Sequence, residues 1–149
     1  MVKKAENPMK KIVVFGSFDP LHEGHRDFFR QAKKLGDYLV VVVARDENIK
    51  KIKKHEPRLG EEKRLQAVKG ETIIDEAVLG DIGENYMILD KIKPDIIAVG
   101  YDQKIPKGLK DKVKRYKIVT LKPFKPEIYK SSKIRRQAGT PGMLFDKFS

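Results

Sequence analysis

Residues 16–25 read G-S-F-D-P-L-H-E-G-H and hold two of the chain's three histidines, His22 and His25. The apolar run 12–15 precedes this window and an amphipathic stretch follows, so the histidines stand at a strand-to-helix turn. Gly16 and Ser17 let the backbone turn sharply and approach a ligand closely. The helix start behind them offers unpaired N–H groups and the positive end of a helix dipole, a ready anion site. At i and i+3 the two imidazoles project from one helix face. Gly24 leaves room beside them for a phosphate or a ribose, and Asp19 can cap the turn or orient an imidazole. Such a set can hold an α-phosphate while its charge moves onto leaving oxygens. Two histidines can also bind a metal, but this spacing supplies no third ligand and the chain has no cysteine. A G-x-G-x-x-G dinucleotide turn and a Walker A lysine are both missing.

The elements that must carry this turn are legible from periodicity. Buried strands are predicted over residues 12–15, 38–44 and 95–99, a weaker one over 73–79 and a final one over 117–121. Helices are predicted over 22–35, where Phe28, Phe29, Ala32 and Leu35 share one side, and over 61–69, 84–92 and 108–116, with a further one starting at 131. Residues 48–59, basic and containing Pro57, read as a loop; residues 122–130, with two prolines, read as another. Strands alternating with helices imply an α/β fold: one doubly wound, Rossmann-like domain with a five-stranded parallel sheet. The domain is placed at residues 1–136 and a C-terminal tail at 137–149. Ligands of such sheets bind beyond the carboxyl ends of the strands at the switch point. The turn at Gly16 lies there, and residues 100–103 should as well.

Composition narrows the partners. The chain has 149 residues and a net charge of +12. Residues 101–136 contribute +10 of charge while residues 70–100 contribute −5, so the basic surplus is C-terminal. It suits a polyanion such as a nucleotide, a phosphorylated small molecule or nucleic acid, and equally a solvated lysine-rich surface. No aromatic-basic RNA motif accompanies it, which leaves a nucleic-acid-binding module as a distant alternative. Residues 1–11 are polar and basic, without the apolar stretch of a signal peptide. No run approaches the roughly 20 apolar residues of a membrane span, so the expectation is a soluble cytoplasmic protein with no membrane partner.

The segment 16–25 resembles the G-x-F-D-x-x-H-x-G-H signature of the nucleotidyltransferase superfamily related to cytidylyltransferases, matching it throughout. Residues 37–49, 100–103 (G-Y-D-Q) and 129–134 (Y-K-S-S-K-I) resemble further segments of that superfamily, and the resemblance spans roughly residues 11–136. It implies a single in-line displacement in which an acceptor phosphate attacks the α-phosphorus of a nucleoside triphosphate and pyrophosphate leaves. His22 and His25 would stabilise the transition state. Gly16, Ser17, Phe18, Asp19, Glu23 and Gly24 would line the nucleotide with them. Ser131 and Ser132 would hold the β- and γ-phosphates, and Mg²⁺ would ride on the triphosphate. Among the loop lysines Lys50, Lys51, Lys53 and Lys54, Lys51 is chosen to reach the phosphates, with a solvated basic loop accounting for two or more of the four. Arg64 is assigned to the acceptor phosphate, with a surface salt bridge to Glu61 or Asp81 as its competing role. Asp102 is assigned to ribose or base, against a turn-capping role, and Tyr129 to packing on the base.

The stretches 44–51 and 96–103 look most like archaeal-type FAD synthases, which join ATP and FMN. The late segment K-P-F-K-P-E-I-Y-K-S-S departs from the Arg-Thr-x-Gly-Ile-Ser-Thr-like run of glycerol-3-phosphate cytidylyltransferases. That second group, using CTP and glycerol 3-phosphate or a related phosphorylated alcohol, is the alternative. Relatives are often dimers, and the resemblance implies a homodimer.

Overall fold

The computed structural model describes residues 9–83, 86–101, 103, 109 and 116–123. Nine elements follow one another in the described chain: β1 (Lys11–Gly16), α1 (Glu23–Lys33), β2 (Tyr38–Val43), α2 (Asp46–Lys53), α3 (Glu61–Lys69), β3 (Glu76–Leu79), α4 (Ile88–Ile92), β4 (Ile96–Val99) and β5 (Lys117–Thr120). The strands form one sheet in the order β3-β2-β1-β4-β5, and every pairing is parallel. The predicted doubly wound sheet is therefore present. The chain starts at the centre, works outward through β2 and β3, then crosses back to β4 and β5. The switch point lies between β1 and β4.

Alternation along the strands separates two cores. Ile12, Val14, Leu39 and Val41 face α1 and α3 through Phe28, Phe29, Ala32, Leu65 and Val68. Val13, Phe15, Val40 and Val42 face the other way, against Leu89 and Ile92 of α4. Burial of each large side chain in these layers contributes roughly 1.5–3 kcal/mol. Both faces are covered, which explains the unbroken valine run of β2.

Aspartates pin the amino edge of the sheet. Asp37, Asp75 and Asp95 each precede a strand and accept a backbone N–H from Lys10, Leu39 and Lys11, at 2.9, 2.8 and 2.8 Å. At the same edge a Cβ on Gly36 would run into the Ile12 side chain and the Lys10 carbonyl. The opposite, carboxyl edge is left for ligands. Among the described residues no helix is long and apolar enough to cross a membrane.

The strand predicted over 73–79 is shorter, Glu76–Leu79, and two larger differences concern helices. The predicted loop 48–59 begins as helix α2, whose first turn holds Asp46 and Glu47 and whose last turn holds lysines. Those charges complement the helix dipole. Lys54, in the left-handed region at φ 62°, ends the helix before Pro57 is reached. The predicted helix 84–92 is shorter, running as α4 from Ile88; residues 84 and 85 lie outside the described residues. So do the helix predicted from 131, the domain boundary at 136 and the tail. Of the helix predicted over 108–116 only Leu109 and Tyr116 are described; Leu109 is buried in the second core.

Candidate active site

The turn after β1 is built around Phe18. This residue sits at φ 54°, a conformation uncommon for a bulky side chain. Its ring is fully buried, 5.0 Å from the His25 ring at 77° and 5.3 Å from Phe29. A Cβ on Gly16 would lie only 2.4 Å from Cζ of the Phe18 ring, so the glycine is required by this packing. Phe18 was expected among the nucleotide contacts; its side chain instead forms the floor beneath His25. Asp19 also turns inward: its carboxylate accepts the N–H groups of Arg58 at 2.6 Å and Leu59 at 2.8 Å. Neither expected role describes it: its carboxylate ties the signature turn to the segment at 58–59, and the N-cap of α1 is His22.

The histidines cap α1 reciprocally. His22 is the N-cap, and its Nδ1 accepts from the Gly24 N–H at 3.1 Å. His25 Nδ1 accepts from the His22 N–H at 3.0 Å. This is the capping-box arrangement with imidazoles in place of the usual hydroxyl and carboxylate. The rings stack, with centroids 3.8 Å apart and planes at 26°. Because each Nδ1 accepts a hydrogen bond, the proton of each neutral ring belongs on Nε2. Burial lowers the pKa of His25 well below the usual histidine value, helped by His22 and Arg26. His22 is lowered by desolvation and Arg26, with Glu23 opposing. Both lowered pKa values favour neutral rings with the proton on Nε2; the His22 ring lies at the surface, and the His25 ring is fully buried beneath it. Glu23 is itself exposed and paired with Arg26 at 3.0 Å.

The lowered pKa of His25 has a consequence for stability. Below the ordinary value of 6.5 the unfolded chain binds a proton that the folded chain refuses. Stability is thus full above that pH and falls as pH drops through it, by up to about 1.4 kcal/mol per pH unit. Urea unfolding between pH 7.5 and 5 checks this, and the slope should flatten in His25→Asn.

Arg64 departs from its expected role. Its side chain is fully buried. Nε donates to the Leu59 carbonyl at 2.9 Å, Nη1 to the carbonyls of Ser17 and Ala44 at 3.0 and 2.8 Å, and Nη2 to Asp46 at 2.6 Å. The guanidinium is enclosed and committed to four internal acceptors, so neither an acceptor-phosphate contact nor a surface salt bridge to Glu61 or Asp81 describes it. It locks the signature turn, the exit of β2 and the start of α2 together.

A cleft of about 590 Å³, counting space open to solvent at its mouth, lies beyond the carboxyl ends of β1, β2 and β3. Gly16 and Ser17 form one end of it, next to the turn that carries the histidines. Phe15, Ile49, Ile52, Tyr86 and Ile88 supply apolar walls. Lys53 lines it as well, whereas Lys51 is exposed and is not among the lining residues, and Lys50 pairs with Glu56 at 3.5 Å. The lysine the cleft receives is therefore Lys53, because α2 is a helix where a loop was expected. Gln103 closes the switch point: its Nε2 donates to the Phe15 carbonyl at 3.2 Å and its Oε1 accepts from Gly100 N–H at 2.7 Å. The sequence reading passed over Gln103, although a buried amide ending a predicted strand signals a backbone bridge. Asp102, Tyr129, Ser131 and Ser132 lie outside the described residues. Among the described residues no group of three or more His, Asp or Glu gathers as a metal site.

The profile of the family described as Cytidylyltransferase-like matches residues 13–137. The chain belongs to this cytidylyltransferase-like family. Its relatives include a protein of Ferroglobus placidus named FAD synthase, 52% identical over 95 residues, which cover 64% of this chain and 61% of that one. An Aciduliprofundum boonei protein of the same name is 42% identical over 119 residues, 73% of this chain and 79% of the relative. The chain thus spans about three fifths of the first relative's length and about four fifths of the second. Among solved structures, the lipopolysaccharide core biosynthesis protein of Thermoplasma volcanium superposes with a TM-score of 0.71 at 36% identity, covering 79% of this chain and all of that one. A pantoate-beta-alanine ligase from Francisella tularensis, at TM-score 0.55 and 14% identity, shares the fold. In this cytidylyltransferase-like chain the signature turn meets the cleft at Gly16 and Ser17, and His22 and His25 follow in the same turn without lining it.

Proposed function

We propose that this chain is an adenylyltransferase that joins the AMP of magnesium-bound ATP to the phosphate of FMN, giving FAD and pyrophosphate. The observation that carries the reading is the name FAD synthase borne by relatives 42% and 52% identical to it. The cleft supports the acceptor. Its apolar walls suit a flat aromatic ring system, while a three-carbon phosphoalcohol would leave those walls wet.

The chemistry asks little acid–base work of the protein. A phosphate monoester is largely dianionic at neutral pH, its second pKa being near 6, so the FMN oxygen attacks without a general base. A P–O bond forms from FMN to the α-phosphorus as the bond to the β-phosphate oxygen breaks, and pyrophosphate carries away the charge. Neutral Nε2–H donors on His22 and His25 stabilise the oxygens of the α-phosphate as that charge grows, and need no protonated imidazole. Lys53 brings positive charge to the cleft. The remaining assignments rest on the resemblance: Asp102 to ribose or base, Tyr129 to the base, Ser131 and Ser132 to the departing phosphates. Magnesium arrives on the triphosphate, and the working unit is a homodimer in the cytoplasm.

A screen of pyrophosphate release tests the substrates. ATP with FMN should give release well above background, and CTP with glycerol 3-phosphate should not. The reverse pattern would transfer the assignment to a glycerol-3-phosphate cytidylyltransferase.

A further inference from the structure

One wall of the cleft is a short irregular segment, Gly80 to Gly83, between β3 and α4. Its first residue is tied to β2, the Gly80 N–H donating to the Val43 carbonyl at 2.9 Å. Beyond it the segment leaves the sheet, and Gly83 takes φ +92°, which favours glycine. That part of the backbone is held by α2. Asn48 Nδ2 donates to the carbonyls of Asp81 at 2.9 Å and Gly83 at 3.3 Å, and Asn48 Oδ1 accepts the Gly83 N–H at 2.9 Å. Arg45 adds a hydrogen bond to the Gly80 carbonyl at 3.2 Å. The Asp81 carboxylate in turn accepts the Ile88 N–H at 2.8 Å, at the start of α4. Asn48, with Arg45 at the near end, therefore ties α2 to the facing segment Gly80–Gly83, and makes all three of the side-chain bonds to Asp81 and Gly83.

We propose that Asn48 is a positioning residue that sets the width of the acceptor cleft and thereby its selectivity for a flat ring. This rests on the reading of the cleft as the FMN site. Asn48 lies on the cleft wall, away from the histidine cap, so its action falls on acceptor affinity. Only an amide fits the role, because the segment offers two carbonyls and one N–H. A carboxylate at this position would still accept from Gly83 but would face both carbonyls without a proton to give.

Two variants test this. In Asn48→Asp the KM for FMN should rise roughly ten- to thirtyfold, from the loss of two hydrogen bonds, while the KM for ATP stays near wild type and kcat falls less than about fivefold. In Asn48→Ala, hydrogen exchange of the free protein should speed at Gly83 and also at Ile88, which Asn48 does not touch. An unchanged KM for FMN, or a parallel loss in both KM values and kcat, would overturn the proposal. If wild-type protein makes no FAD, the functional reading falls and the exchange decides alone: faster exchange at Ile88 supports the clamp, and unchanged exchange there overturns it.

Discussion

His25→Asn should lower turnover by roughly 10²–10⁴ while the fold persists. The asparagine oxygen sits near the position of the imidazole Nδ1 and can still accept the His22 N–H, so the helix cap survives. What is lost is Nε2–H, the donor for the α-phosphate. His25→Gln also keeps the cap, since a glutamine oxygen at this helix position accepts the N-cap N–H in an ordinary capping box, but it lacks the ring that holds Nε2–H in place. That variant should melt near His25→Asn and likewise lose turnover. Steady-state rates beside thermal melts of both proteins check the pair. If Asn keeps near wild-type turnover, His25 serves only to cap α1.

Arg64→Ala should destabilise the protein by about 3–5 kcal/mol, because three carbonyls and the Asp46 carboxylate lose their partner in a buried place. A single lysine ammonium cannot reproduce the planar fork, so Arg64→Lys should recover only part of the loss. Urea unfolding measures this directly. A contact to the acceptor phosphate would behave in the opposite way, raising KM with stability unchanged. The two outcomes therefore distinguish a lock on the signature turn from a substrate ligand.

The valine run of β2 and the phenylalanine spacing of α1 made the parallel sheet legible, because burial on both faces leaves a continuous apolar signature. The strand-to-helix turn that carries the histidine pair was legible from its glycine neighbours. Its capping geometry was less so, since histidine is an unusual capping residue and the i, i+3 spacing fits either a shared face or a reciprocal cap. Arg64 misled for a physical reason. Arginine is rarely fully buried, and here three backbone carbonyls at strand and loop ends converge on it from segments far apart in sequence. Asn48 was hidden, and Lys51 was preferred to Lys53, because the loop assigned around Pro57 removed the helical periodicity that places Asn48 and Lys53 on the cleft wall.

The central claim is that an α-phosphate passes from ATP to FMN at the histidine cap. Incubating the protein with magnesium, FMN and ATP labelled at the α-phosphorus, then separating the flavins, tests it most directly. The account predicts label in FAD with unlabelled pyrophosphate released in equal amount, and loss of both in His25→Asn. Absence of labelled FAD, or equal labelling in wild type and His25→Asn, would contradict it.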